Sequence, residues 1–173
     1  LPALARGDLD LVITADPVAD ESYYYEPLFS YEALLAIAND HPLTEKKWLE
    51  PADFSAETLI TYPVDRDRQN VFTDFLEPAK VEPASVRTAE LTTMMIQLVA
   101  SGRGVCCLPN WALHEYMEKL YVETRSLGEE GLWPTLYAAV RADQAQSNYV
   151  QGFFETARET SFEHLHGIVR VID

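Results

Sequence analysis

The segment LVASGRGVCCLPNWAL, residues 98–113, constrains the fold more than any other part of the chain. An apolar run with helical spacing reaches Gly102, and a strand-like VCCL follows before Pro109. Gly102 is placed to end a helix, and Gly104 permits a close turn. A helix that turns directly into a short apolar strand is typical of α/β folds. These residues alone leave open whether the turn only connects helix and strand or also helps to form a binding cleft.

The rest of the chain repeats this alternation of short apolar strands and amphipathic helices. We predict strands at LDLVI (9–13), FSYEALLAIA (29–38), ETLITYP (57–63), VRTAE (86–90), VCCLP (105–109) and LWPTLYAAVRA (132–142). Helical spacing is found in RDRQNVFTDFLEPA (66–79), TTMMIQLVAS (92–101), NWALHEYMEKL (110–120) and the long segment at 146–165. The polar, aromatic segment DPVADESYYYEP (16–27) is typical of a loop. This order predicts an α/β architecture.

Charge and cysteine usage exclude several classes of partner. The net charge is −15, so we expect no binding of nucleic acid or of an anionic membrane by this chain. No apolar run reaches the roughly 20 residues that span a bilayer, and no signal peptide is visible. Cys106 and Cys107 are adjacent, so on a strand they point to opposite faces, and we expect buried, reduced thiols in a cytoplasmic protein.

Catalytic and metal-binding signatures are missing from the sequence. It contains no GxxxxGK[ST] phosphate loop, no GxSxG nucleophile elbow and no HExxH metal helix, and SGRGV lacks the third glycine of a dinucleotide loop. None of the four histidines pairs with a cysteine at zinc spacing. We therefore expect no enzyme activity, no cofactor and no metal.

A candidate binding site follows from the ends of the predicted strands. In open α/β sheets ligands bind beyond the carboxyl ends of strands, often where helices begin. The candidate ligand-binding residues at these positions are Thr14, Ala15, Asp16, Tyr62, Pro63, Val64, Arg66, Arg68, Glu90, Thr92, Thr93, Pro109 and Trp111.

Each polar candidate also has a purely structural interpretation. Arg66 and Arg68 can hold a carboxylate together with a helix N-terminus, or they can pair with the neighbouring acids Asp65 and Asp67.

Thr92 and Thr93 can donate hydroxyl groups to a ligand or cap the following helix. Trp111 can form a pocket wall or pack in the core. Asp16 and Glu90 can meet an ammonium group or act as a cap or a solvated charge.

Three segments together resemble the effector-binding domain of LysR-type transcriptional regulators. They are ALARGDLDLVIT (3–14), LFSYEALLAIANDHPL (28–43) and LVASGRGVCCLP (98–109), in the order and at the spacing of that family. The resemblance implies a two-lobed, type 2 periplasmic-binding-protein-like α/β fold with the effector in the cleft. Lobe I would comprise residues 1–61 and 135–173, lobe II residues 62–134, with crossover strands near 59–62 and 132–137.

The resemblance also implies a function. LITYPVDRDR (59–68) and GLWPTLYAAVR (131–141) look most like the branch that regulates methionine biosynthesis, whose effector is homocysteine. Arg68 or Arg66 would then hold the carboxylate, Glu90 or Asp16 the ammonium group, and Trp111 or Tyr62 would line the thiol side.

Compared with the family pattern, we expect two parts to be missing from this chain. One is the N-terminal helix-turn-helix domain, through which alone DNA would be bound. The other is the first β-α-β segment of lobe I. The family also implies homodimers or homotetramers.

Two other classes of function remain open from the sequence. A periplasmic-type solute-binding protein for a small amino acid or anion shares the fold. A two-lobed enzyme, such as a prephenate dehydratase or a deaminase, also shares it, but the sequence supplies no catalytic residues for one.

Overall fold

The computed structural model describes residues 1–171. Its helices are α1 (Pro2–Arg6), α2 (Thr92–Ala100), α3 (Asn110–Glu118) and α4 (Asn148–His164). Its strands are β1 (Val12–Thr14), β2 (Tyr23–Ser30), β3 (Ala33–Ile37), β4 (Trp48–Leu49), β5 (Thr58–Thr61), β6 (Ser85–Thr88), β7 (Val105–Pro109), β8 (Glu123–Leu127) and β9 (Thr135–Arg141). Short 3-10 helices cover Pro42–Glu45, Pro51–Ala56, Arg66–Arg68 and Ala142–Gln144, and a π-helix covers Val71–Leu76.

The chain divides into two compact units. Unit 1 comprises Leu1–Tyr31 and the described residues from Pro134 onward, and unit 2 comprises Glu32–Trp133. The first predicted lobe boundary, after residue 61, differs from this division because β3 and β5 both pair with β7 in one sheet. The predicted boundary after residue 134 lies close to the second division. Residues 59–62, predicted to cross between lobes, lie within unit 2.

Unit 1 is a three-stranded antiparallel sheet covered by α4. The strand order is β1-β9-β2, so both other strands pair with β9. Buried Phe154 of α4 stacks near Tyr24, and Phe162 meets Phe29 edge to face. These aromatic contacts attach α4 to β2.

Unit 2 is a six-stranded mixed sheet of order β4-β8-β3-β7-β5-β6. Successive residues of a strand point to opposite faces, and β3, β5 and β7 are buried on both faces. One apolar cluster contains Leu35, Leu59 and Val105 and packs against the π-helix. The other contains Leu34, Ile60 and Cys106 and packs against α2 and α3. This arrangement explains the continuous apolar runs in β3, β5 and β7.

Three predictions of strands and loops need correction. FSYEALLAIA is not one strand but parts of two, because β2 pairs with β9 in unit 1 whereas β3 pairs with β7 and β8 in unit 2. The predicted loop at 16–27 contains the first half of β2, since Tyr23–Tyr25 pair with β9. The strand in LDLVI is shorter than predicted, and Leu9 and Ile13 are both 47% exposed rather than buried.

The segment that follows β5 differs from its predicted α-helix. It forms a 3-10 turn and then a π-helix, in which Val71, Phe72 and Leu76 are buried. The predicted apolar face is therefore present, but it is formed by a π-helix, whose turn is wider than that of the predicted α-helix. Among the residues that the structure describes, no helix is long and apolar enough to cross a membrane.

Candidate functional site

Three parallel strands of unit 2 end at one edge of its sheet. β5 pairs in parallel with both β6 and β7, so the carboxyl ends of all three strands lie side by side. The backbone N–H of Ala89 donates to the carbonyl of Thr61 at 2.9 Å and extends this alignment past the strands. Helix α2 begins four residues after β6, and α3 begins directly after β7. We call this region, Tyr62–Val64, Glu90–Thr93 and Pro109–Trp111, the α2/α3 edge.

The first turn of α2 has no side-chain cap. Its N-cap residue is Leu91, which has no polar side-chain atom, so the expected capping by Thr92 or Thr93 is wrong. Thr92 is instead the first helical residue. Because the first N–H groups of a helix have no intrahelical acceptor, those of α2 are available to an anion. In α3 the N-cap is Pro109, and the N–H of Trp111 donates to Oδ1 of Asn110 at 2.8 Å.

A pair of hydroxyl groups lies beside this helix start. The Tyr62 hydroxyl and Oγ1 of Thr92 are 2.6 Å apart, and both residues are half-buried. One hydroxyl donates to the other, so one O–H remains to donate to a third group. The bond also connects the end of β5 to α2, which fixes both hydroxyls in place.

Trp111 carries an unsatisfied polar atom at the start of α3. Its indole Nε1 is buried and has no hydrogen-bond partner among residues 1–171. A buried donor without an acceptor costs about 1–3 kcal/mol, so native structures rarely retain one without a reason. Pro109, which precedes α3, is also half-buried.

The side chain of Arg66 binds two glutamates and none of the groups at the α2/α3 edge described above. Its Nε donates to Glu77 at 2.9 Å, and its two terminal nitrogens donate to Glu82 at 2.7 and 2.8 Å. The guanidinium also lies over the ring of Phe72, 4.3 Å from its centre. Hydrogen bonding to Glu82 raises the pKa of Arg66 and lowers the pKa of Glu82. The structural alternative for Arg66 is thus observed, although with these partners rather than with its sequence neighbours.

The other candidates of unit 2 are exposed. Arg68 lies in the same 3-10 turn as Arg66, and Pro63 and Val64 precede that turn. Glu90 and Thr93 flank the start of α2. Pro63, Val64, Glu90 and Thr93 belong to the α2/α3 edge, and their exposure makes them accessible to a ligand.

The candidates of unit 1 lie where β1 ends. Oγ1 of Thr14 accepts a hydrogen bond from the N–H of Asp16 at 3.1 Å, which closes a tight turn around Ala15. All three residues are half-buried. The hydroxyl of Thr14 is therefore engaged in local turn structure.

Sequence reasoning missed the apolar side chains at this edge. Leu91 is 63% exposed and Met94 is 53% exposed, although both belong to the apolar segment around α2. Their spacing of three residues puts them on one helix face, opposite buried Ile96, and this was the available signal.

No described residues form a cluster of three or more histidine, cysteine, aspartate or glutamate side chains that could hold a metal ion. Cys106 and Cys107 are free thiols on β7, in agreement with the prediction. Burial raises the pKa of Cys106 above its ordinary value and that of Cys107 to about 12. Neither thiol is therefore ionised near neutral pH.

Comparison with known proteins identifies the family to which this architecture belongs. The model of the LysR substrate binding domain matches residues 1–161. The chain belongs to the LysR substrate-binding domain family. Its type 2 periplasmic-binding-like α/β fold is the fold of that family. The relatives are transcriptional regulators and not enzymes, and they do not favour a periplasmic solute-binding protein.

Individual LysR relatives agree with the family match. The HTH-type transcriptional regulator MetR of Escherichia coli is 42% identical over 164 residues, which cover 95% of this chain and 51% of that protein. The chain thus spans about half the length of this relative. The regulatory domain of MetR, a LysR family regulator from N. meningitidis, is 37% identical with a TM-score of 0.91 and covers 99% of this chain and 79% of that one.

A more distant LysR structure shares only the fold. The effector binding domain of a BenM variant is 19% identical, with a TM-score of 0.75 over 98% of this chain and 80% of that one. Its similarity supports the architecture and gives no information on the ligand of this chain.

Proposed function

We propose that this chain senses a small amino-acid-like effector for a LysR-type transcriptional regulator, and that the effector is homocysteine. The observation that carries the proposal is the uncapped start of α2 beside the Tyr62–Thr92 hydroxyl pair. A helix N-terminus combines unpaired N–H groups with the positive end of the helix dipole, which favours a carboxylate.

The groups at the α2/α3 edge fit the parts of an amino acid. The effector carboxylate accepts from the first-turn amides of α2 and from the free hydroxyl proton, with Arg68 as the charged donor. Glu90 receives the ammonium group. The side chain lies against Trp111 and Tyr62, and the exposed Leu91 and Met94 add apolar surface.

Homocysteine is favoured over other amino acids by two lines of support. The segments at 59–68 and 131–141 resemble the methionine-biosynthesis branch, and relatives that are 42% and 37% identical carry the name MetR. The apolar and aromatic side chains at the edge also suit a thiol-bearing chain better than a charged one.

We further propose that effector binding alters DNA binding by a separate N-terminal helix-turn-helix domain of a longer, cytoplasmic, homodimeric or homotetrameric protein. The charge of −15 supports DNA contacts outside this segment, since it repels a phosphate backbone.

A thermal-shift titration tests the effector. Homocysteine should raise the melting temperature saturably, and methionine, cysteine and O-acetylserine should not, because only a ligand of the folded state stabilises it. Arg68→Ala should weaken homocysteine binding without unfolding the protein. Thr92→Val should weaken it about fivefold, since one hydrogen bond contributes about 1 kcal/mol.

Thr156→Val is the matched control, because Thr156 is exposed on α4. It should bind homocysteine like the wild type. A selective shift with a different amino acid would replace homocysteine, and unchanged affinity in both Arg68→Ala and Thr92→Val would reject the α2/α3 edge as the site.

A further inference from the structure

A second polar cavity lies at the opposite edge of the unit 2 sheet, where β5 and β7 begin. Its volume is about 440 Å³. The side chains and backbone that matter there belong to His41, Glu57, Thr58, Arg87, Arg103 and Gly104, and we call it the basic cavity. None of these residues belongs to the α2/α3 edge.

The turn after α2 delivers Arg103 to this cavity. Gly104 has φ +147°, and a Cβ atom placed on it would lie 2.5 Å from the carbonyl oxygen of Thr58. Only glycine allows the backbone to approach β5 so closely. The close approach places Arg103 beside the first residue of β5.

The two arginines of the cavity have no protein counter-ion. Among residues 1–171, the side chains of Arg87 and Arg103 make no hydrogen bond or ion pair, whereas those of Arg66, Arg125 and Arg158 each bind a glutamate. This is unexpected in a chain with 28 acidic residues and only 13 lysines and arginines. The cavity is a local concentration of unpaired positive charge in an acidic protein.

The acidic group of the cavity is already engaged. His41 Nδ1 accepts from the N–H of Leu43, so the ring proton is on Nε2, which lies 3.3 Å from Oε2 of Glu57. This contact pairs the Glu57 carboxylate with His41. In addition, Oγ1 of Thr58 and Oγ of Ser85 are 2.8 Å apart, which leaves one hydroxyl proton unused.

We propose that the basic cavity binds a phosphate-class oxyanion, either free inorganic phosphate or the phosphoryl group of a metabolite. The cavity is lined by arginines on two different elements, β6 and the turn after α2, and by Thr58, whose hydroxyl pair with Ser85 has one proton to donate. A tetrahedral anion with several acceptor oxygens and two charges satisfies all of them, whereas a planar carboxylate satisfies one guanidinium. This site is independent of the proposed effector site.

Calorimetric titration of the protein with inorganic phosphate at constant ionic strength tests the proposal. The wild type should bind saturably, and R87Q/R103Q should bind at least about tenfold more weakly, because two charge-assisted hydrogen bonds are lost. R6Q is the matched control, since Arg6 is an exposed arginine paired with Asp8 in unit 1. It should bind phosphate like the wild type.

Two further titrations test where phosphate binds and whether the ligand is the free ion or the phosphoryl group of a metabolite. T92V alters the α2/α3 edge and should leave phosphate binding unchanged. Tighter binding of adenosine monophosphate than of inorganic phosphate identifies a metabolite phosphoryl group, and the reverse identifies the free ion. Absence of saturable binding, equal loss in R6Q, or loss in T92V but not in R87Q/R103Q overturns the proposal.

Discussion

The two edges of the unit 2 sheet offer an anion different kinds of donor. At the α2/α3 edge most of the donors are helix amides and a hydroxyl pair, which are neutral and fixed by backbone structure, and Arg68 is the one charged donor that we propose there. In the basic cavity they are two guanidinium groups on exposed side chains. The attraction between exposed charges falls with added salt and is largely screened beyond about 8 Å at physiological ionic strength, whereas short hydrogen bonds from fixed amides depend less on salt. The two proposals together predict that one sheet binds anions mainly by preorganised donors at one edge and by arginine charge at the other.

Replacement of Gly104 should give the largest effect and should affect the basic cavity first. A Cβ at Gly104 would collide with the carbonyl of Thr58, so we expect Gly104→Ala to lower the free energy of unfolding by about 2–3 kcal/mol. Denaturant titration measures this loss. The retained folded fraction should bind phosphate more weakly than the wild type.

Gly102→Ala is the control for this substitution. Gly102 also has a positive φ, +68°, but nothing lies within 4 Å of its added Cβ. We expect a loss of about 1 kcal/mol from backbone strain alone. Equal losses in the two variants would show that the approach to Thr58 is not tight.

Replacement of Trp111 should give an intermediate effect at the other edge. Trp111→Phe removes a buried donor without an acceptor, so we expect the free protein to gain about 1 kcal/mol, or about 2–4 °C in melting temperature. Differential scanning calorimetry measures the gain. The same variant should bind the effector more weakly if the indole N–H donates to it.

Trp133→Phe is its counterpart, because the Nε1 of Trp133 already donates to the carbonyl of Glu130 at 3.0 Å. That variant should show no gain in melting temperature. A lower melting temperature for Trp111→Phe would mean that the indole N–H has an acceptor, such as a buried water.

The smallest effect concerns the bond between Arg66 and Glu82, which belongs to neither edge. The Arg66 hydrogen bonds lower the pKa of Glu82 in the folded state. The stabilisation is therefore complete above the ordinary glutamate pKa of about 4.3 and is lost as pH falls through the lower folded value. Glu82→Gln should be less stable than the wild type at neutral pH and equally stable in strong acid.

Chemical denaturation at both pH values measures that difference. Glu129→Gln, at an exposed position, should show no such pH-dependent difference. An equal difference in the free energy of unfolding between Glu82→Gln and the wild type at both pH values would contradict a stabilising role of the ionised Glu82.

Local patterns were sufficient to predict much of unit 2. The apolar runs of β5 and β7, the start of α2 and the glycine turn before β7 depend on neighbours within a few residues, and they were predicted within one or two positions. The break between β2 and β3 was not predicted, because it depends on β9 and β7, which lie far away in the sequence.

The candidate site shows the same limit. Tyr62 and Thr92 were both singled out as residues, but their mutual hydrogen bond depends on the parallel pairing of β5 and β6. The partners of Arg66 were missed for the same reason, since Glu77 and Glu82 come near it only when the π-helix folds back. Residue type indicated what these side chains can do, and tertiary contacts decide which partner they have.

The arrangement of unit 1 also sets an order of assembly on the ribosome. β1 and β2 do not pair with each other, because β9 lies between them in the sheet. At a synthesis rate of about 5–20 residues per second, the first two strands exist for at least several seconds before their shared partner emerges. All strands of unit 2 are made during that interval. Among the strands of residues 1–171, the central strand of unit 1 is thus synthesised last, and β2 has no β9 to pair with until then.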